Sequence, residues 1–377
     1  MKVVLAFDSF KNCLSSPEIC NIVQEAVQNT APGIEVTTIP LADGGEGTAE
    51  ALTRACSGVM HTYQVHDPLF RPVNAAWGLL PDNSAVLEMA SASGIELISN
   101  AERNPMQTTT YGTGELLAYL ATGKNIRSFT IGIGGSATVD CGVGMLQALG
   151  VKFYNAENEL LPCPADGNAI ASIAKIDTSD LLPEIKKCSI RIASDVTNPL
   201  CGENGAARVF APQKGADSEM VEVLEKNLFN FGMLSVKSNL ADNITTPGDG
   251  AAGGLGFALR NYLNAKSMSG AELVLELSGF DQAIKDADWV ITGEGCSDFQ
   301  TAHGKLCSVV AKHCRKAQVP VILLSGALGE RSKELENIFD AVFSLSSRPC
   351  TLHEALDSTP ENLRRMTRNI VNLIIKR

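Results

Sequence analysis

The chain has 377 residues, 45% of them hydrophobic and 19% charged, with a formal net charge of −11. This is the composition of a globular protein with a large core, and the length suits one to three domains, two being expected. The acidic balance and the 5% aromatic content speak against a nucleic-acid partner, which would need a basic face or stacking platforms. No stretch approaches eighteen uninterrupted apolar residues, so no membrane partner is expected. Lys2 leads only into the short run Val3–Phe7, ended by Asp8, which does not read as a secretory leader.

In chain order, Lys2–Phe7 reads as a buried strand. Ser15-Ser16-Pro17-Glu18 opens a helix with Ile19, Ile22, Val23, Ala26 and Val27 at helical spacing, and Pro32-Gly33 ends it. Ile34–Ile39 is a second strand and Gly44–Cys56 a second helix, a β-α-β-α opening typical of a parallel sheet. Val73–Leu79 and Ser84–Met89 around Pro81-Asp82-Asn83 predict a hairpin. Residues 112–122 read as a helix, Arg127–Ile133 as a strand and Val143–Leu149 as a helix. The stretch 155–180 is rich in loops. Ser189–Ala193 is a strand, and Asp217–Phe231 and Gly254–Leu263 are helices. Ala287–Thr292, Val319–Ser325 and Ala341–Leu345 are strands around a helix at Lys305–Lys316. Leu352–Ile375 is helical with a break or restart at Pro360. Both ends are α/β and the middle is unlike them. The expected organisation is therefore one discontinuous domain, 1–61 plus 281–377, with an α/β domain at 62–280 inserted in it.

Four segments combine glycines with polar residues: PLADGGEGT (40–48), IGIGGSATVDCGVGMLQALG (131–150), GDGAAGGLG (248–256) and ITGEGCSDFQTAHGK (291–305). Such turns expose backbone N–H groups where an anion can sit. In open parallel sheets ligands gather beyond the C-terminal strand ends. The polar residues cluster there: Asp8, Ser9 and Lys11; Asp43, Gly44, Gly45 and Glu46; Ser136 and Thr138; Asp195 and Asn198; Glu294 and Asp298. Capping or a loop turn accounts for any one of them, but less well for the set. Phosphoryl transfer would use carboxylates to hold Mg²⁺ against the phosphates of ATP, cations to neutralise charge, and a carboxylate to take the acceptor's proton. Lys11, Lys214 and Lys305 are the candidate phosphate clamps, and His303 is a candidate acid/base or structural group. Neither a GxxxxGK[ST] loop nor a GxGxxG turn after the first strand is present, which disfavours NAD and leaves ATP a nonstandard loop. The eleven cysteines include no CxxC pair. Most of them read as small buried hydrophobes of a reducing, cytoplasmic compartment.

The sequence resembles the type I glycerate kinase family along essentially its whole length. The segments that carry the resemblance are FDSFKNCLSS (7–16), PLADGGEGT (40–48), TTTYGTGELL (108–117), IGIGGSATVDCGVGMLQALG (131–150), ASDVTNPLCGENGAARVFAPQKGA (193–216), GAAGGLGFAL (250–259) and VITGEGCSDFQTAHGK (290–305). The resemblance implies phosphorylation of D-glycerate by ATP to 2-phosphoglycerate. It also implies a two-domain α/β architecture in which the inserted domain is flavodoxin-like. The alternatives are a kinase for another small hydroxy acid, or a weakly active or non-catalytic homologue that binds ligand. The family's polar motif positions fall on Asp8, Ser9, Lys11, Asp43, Glu46, Ser136, Thr138, Asp140, Asp195, Asn198, Gln213, Lys214, Glu294, Asp298, Gln300, His303 and Lys305.

From these, Asp195, Asp43, Lys11 and Lys214 are the expected catalytic residues, with Asp195, Glu294 and Asp298 as metal carboxylates. Asp8, Ser9, Gly44, Gly45, Glu46, Gly134, Gly135, Ser136, Thr138, Asn198, Gln213, His303 and Lys305 are the expected binding residues. Family members commonly carry GEGRIDSQ where this chain has Gly293-Glu294-Gly295-Cys296-Ser297-Asp298-Phe299-Gln300, so Cys296 stands in place of a fixed positive fork. Val139, Cys141, Thr197 and Phe7 are further departures. The chain is compatible with a homo-oligomer.

Overall fold

Val3 to Phe7 are all out of solvent, as an unbroken apolar run must be when both faces of its sheet are covered. This is a computed structural model that describes residues 1–10, 12–41, 47–302 and 305–376. The chain is α/β, built on two principal sheets. It divides into two compact units. The first comprises Met1–Asp43, Arg54–Cys56 and Gly270–Arg377, and the second Gly44–Thr53 and Ser57–Ser269. No described helix is long and apolar enough to cross a membrane.

In the first unit, the strand Lys2–Phe7 pairs in parallel with Glu35–Thr38 on one side and Trp289–Gly293 on the other. The sheet continues, all parallel, through Val321–Ser325 to Ala341–Ser344. The helix Ser16–Thr30 starts where expected. The Glu18 carboxylate accepts from the Ser15 amide and hydroxyl, and Pro17 occupies the first turn. Ile19, Val23 and Val27 bury one stripe of it, while Ile22 is only partly covered. The expected C-terminal helix is two, Leu352–Asp357 and Thr359–Ile374, with the restart at Ser358 and Pro360 in the new first turn. The longer one packs on Ser16–Thr30. Leu5, Phe7, Ile291, Ile322, Leu363 and Ile370 belong to the core between them.

The sheet of the second unit runs Lys266–Met268, Ser189–Ala193, Ser128–Gly132, Ala85–Glu88, Pro72–Leu79, Val59–His66. The first four strands are parallel and the last two antiparallel. The hairpin closes through Asn83 N–H to Leu80 O and Leu80 N–H to Ser84 O, with Asp82 accepting from Ser84. Val59–His66 carries no pattern that marks it as a strand. It is an edge strand exposed from Val59 to Gln64, so no alternation is imposed on it. The helix Ser218–Lys237 runs six residues beyond its expected end, and Asp217 caps it by accepting from the Met220 amide.

Candidate active site

Parallel strands deliver their C-terminal ends to one edge of each sheet, and the polar residues follow. In the first unit a cavity of about 740 Å³ opens beyond the strands ending at Phe7, Gly293, Ser325 and Ser344. Its lining includes Asp8, Ser9, Glu294, Cys296, Asp298 and Lys305. Asp8 is buried, and its Oδ1 accepts from the Ser9 amide at 2.7 Å. Glu294 is also buried. One of its oxygens, Oε1, accepts from Thr301 Oγ1 at 2.6 Å and Ser297 Oγ at 3.0 Å. Burial pushes its carboxyl above the usual range, while the two hydroxyl donors and Lys305 pull it down.

Ser297 and Thr301 were not singled out from sequence. Their spacing of three and seven residues after Glu294 places both hydroxyls on it once the turn into the helix Phe299–Ala302 forms. Cys296 is exposed, and burial, Asp298 and Glu294 raise its thiol above the ordinary value. Arg365 also lines the cavity from the last helix and donates to Leu345 O at 3.3 Å. No local motif marks it; only the packing of that helix against the sheet brings it there.

The corresponding edge of the second unit is built from two of the glycine-rich segments. The loop after Ser128–Gly132 is tied down by Thr108 Oγ1 donating to Ala137 O, and by Ala137 N–H donating to Ser93 O, each at 3.0 Å. The turn Ala251–Gly254 lies on it. Cys141 N–H donates to Gly253 O, and a Cβ on Gly253 would stand 2.0 Å from Thr138 O. Asp140 is the internal support. It is fully buried and accepts from the Thr110 amide and hydroxyl and from the Gly142 and Gly144 amides. Desolvation raises its carboxyl and those donors lower it.

Lys214 is almost wholly buried. Its ammonium donates to Ser136 Oγ at 2.5 Å and Thr138 O at 2.7 Å, and burial lowers it to about 7 against an upward pull from Asp140. Gly134, Gly135, Ser136, Gln213 and Lys214 line a cavity of about 380 Å³, together with Arg103. Thr138 is buried but does not line it. Asp195 is exposed, just beyond the Ser189–Ala193 strand, and Asn198 donates to Asn204 O at 2.8 Å.

The expected site residues therefore form two groups. Asp8, Ser9, Glu294, Asp298 and Lys305 share the cavity of the first unit. Gly134, Gly135, Ser136, Gln213 and Lys214 share that of the second, and Thr138, Asp195 and Asn198 also belong to the second unit. Of the three candidate metal carboxylates, Glu294 and Asp298 belong to the first unit and Asp195 to the second. Lys11, Asp43, Gly44, Gly45, Glu46 and His303 lie outside the described residues. Among the described residues no three His, Cys, Asp or Glu side chains form a ready-made metal cage. An all-oxygen pair such as Glu294 and Asp298 suits Mg²⁺, which takes one or two carboxylates and keeps several waters.

Comparison with known proteins bears on the whole chain. Residues 3–375 match the model of the glycerate kinase family. The chain is 42% identical to the glycerate 2-kinase of Escherichia coli (strain K12) and 41% identical to the glycerate kinase of Bacillus subtilis (strain 168). Each alignment covers 98% of this chain and 97% of the relative. A solved structure provisionally described as glycerate kinase 2 from Salmonella typhimurium LT2 superposes with a TM-score of 0.89 at 40% identity, covering 100% of this chain and 98% of that one.

Proposed function

Since the chain belongs to the glycerate kinase family, we propose that it transfers the γ-phosphoryl group of ATP to the 2-hydroxyl of D-glycerate, giving 2-phosphoglycerate and ADP. The observation that carries this reading is the match over residues 3–375, joined to relatives near 40% identity that bear the name glycerate kinase, one of them glycerate 2-kinase.

The transfer forms a bond between the acceptor oxygen and phosphorus and breaks the bond to the ADP oxygen. The acceptor's proton passes to a carboxylate, for which Asp195 and Asp43 are the candidates. Glu294 and Asp298 would hold Mg²⁺, which would neutralise charge on the phosphate oxygens. Lys305, in the same cavity, and Lys11 are the cations we assign to phosphate. Lys214 is assigned to the glycine-rich loop, since its ammonium is engaged by Ser136 and Thr138.

The test is incubation with Mg-ATP and D-glycerate, the product being identified by ³¹P NMR. A 2-phosphoglycerate resonance is expected. A 3-phosphoglycerate resonance would overturn the regiochemistry. Turnover only with another hydroxy acid in a parallel panel would overturn the acceptor.

A further inference from the structure

We propose that the cavity of about 380 Å³ in the second unit is an oxyanion site whose free cation is Arg103. It would take either the carboxylate of the hydroxy acid or a phosphate of the nucleotide; these two sources rest on the function proposed above.

Two cations line this cavity, Lys214 and Arg103, and they are differently placed. The Lys214 ammonium is engaged by Ser136 Oγ and Thr138 O, so its hydrogen bonds shape the loop. The Arg103 Nε–H is withdrawn from solvent and has no hydrogen-bond partner among the described residues. Other guanidinium groups of the same unit are held by carboxylates. Arg71 pairs with Asp67 and Glu102, Arg208 with Glu222, and Arg260 with Asp249 and Asp242. No ion pair to Arg103 is formed among the described residues, although the exposed Glu96 also lines the cavity. A guanidinium on a cavity wall with no carboxylate paired to it among the described residues is open to an anion that enters the cavity.

The backbone supports this placement. Gly215 has φ +96°, and a Cβ there would stand 2.2 Å from Arg103 O, so the segment that carries Lys214 is seated directly against Arg103. Ile133 to Ser136, with Gly135 at φ +70°, form the facing loop. A planar guanidinium fork is the group that matches a carboxylate or phosphate with two parallel hydrogen bonds.

The test uses the full-length enzyme with Arg103→Met, and with Arg103→Gln as a second neutral variant read in the same way should the first not fold. KM is measured separately for D-glycerate and for Mg-ATP, and thermal shifts are recorded with D-glycerate alone, ATP alone and inorganic phosphate alone. KM for one substrate should rise by about tenfold or more, the other KM and kcat changing little. A rise confined to D-glycerate identifies the carboxylate, and a rise confined to ATP identifies the nucleotide phosphate. Wild-type KM for both substrates would overturn the proposal. A wild-type protein that does not phosphorylate glycerate, yet gains a thermal shift from D-glycerate or inorganic phosphate that the variants lose, would overturn the function above and leave the oxyanion site standing. Variants that keep the shift would overturn the site.

Discussion

Lys214 carries its ammonium inside the protein. Beside a glycine, it reads as a phosphate clamp. In the fold it is buried and donates to Ser136 and Thr138. Burial lowers its ammonium from the ordinary 10.5 to about 7. Between those values the unfolded chain holds a proton that the folded chain has released, so Lys214 makes stability increase with pH across that window and decrease as pH falls towards 7. The melting temperature of the wild type should therefore gain on that of Lys214→Met as pH is raised from 7 to 10. Parallel curves would show that the ammonium stays charged throughout. Asp195, by contrast, is exposed, and Asp195→Asn should leave the protein folded. As the acceptor's base it should cost roughly 10²-fold or more in kcat; turnover like that of the wild type would remove it from the mechanism.

At the scale of the element, glycine placement decides where chain can lie on chain. In the segment Ala251–Leu263, residues 252–254 have positive φ, and regular helical geometry holds only beyond them. The helix expected from Gly254 onward is thus close to the observed one. What the sequence leaves open is the reason for the glycines: Gly253 sits at φ +65° with the Thr138 carbonyl where its Cβ would be. Gly253→Ala should destabilise the protein by about 2 kcal/mol or more, since strain and overpacking act together. Chemical denaturation measures it, and a change under about 0.5 kcal/mol would mean that the two loops can separate freely. The strand Val59–His66 was illegible for the opposite reason. Exposed on both faces over most of its length, it has no buried side to write a pattern into the sequence.

At the scale of the molecule, the two units have separate hydrophobic clusters, one around Leu5, Ile291 and Ile322 and the other around Phe129, Leu146 and Phe257. We propose that these units are the domains and unfold as separate transitions. In calorimetry, Leu5→Ala should lower one transition and Phe257→Ala the other, each truncation costing about 3 kcal/mol. A single transition lowered equally by both would show one cooperative block.

Apolar runs, caps and glycine-rich turns determined by themselves most of the strands and helices, the α/β class and the polar residues at the strand ends. Local chemistry suffices for these because hydrogen bonding within an element and burial of one stripe are written in short stretches. Only the tertiary structure decided that Ser297 and Thr301 hold Glu294, that Lys214 supports a loop, and that Arg103 and Arg365 line cavities. Each depends on close approach or on burial set by distant segments, as when Gly215 admits the Arg103 carbonyl from more than a hundred residues away, and no local spacing encodes that.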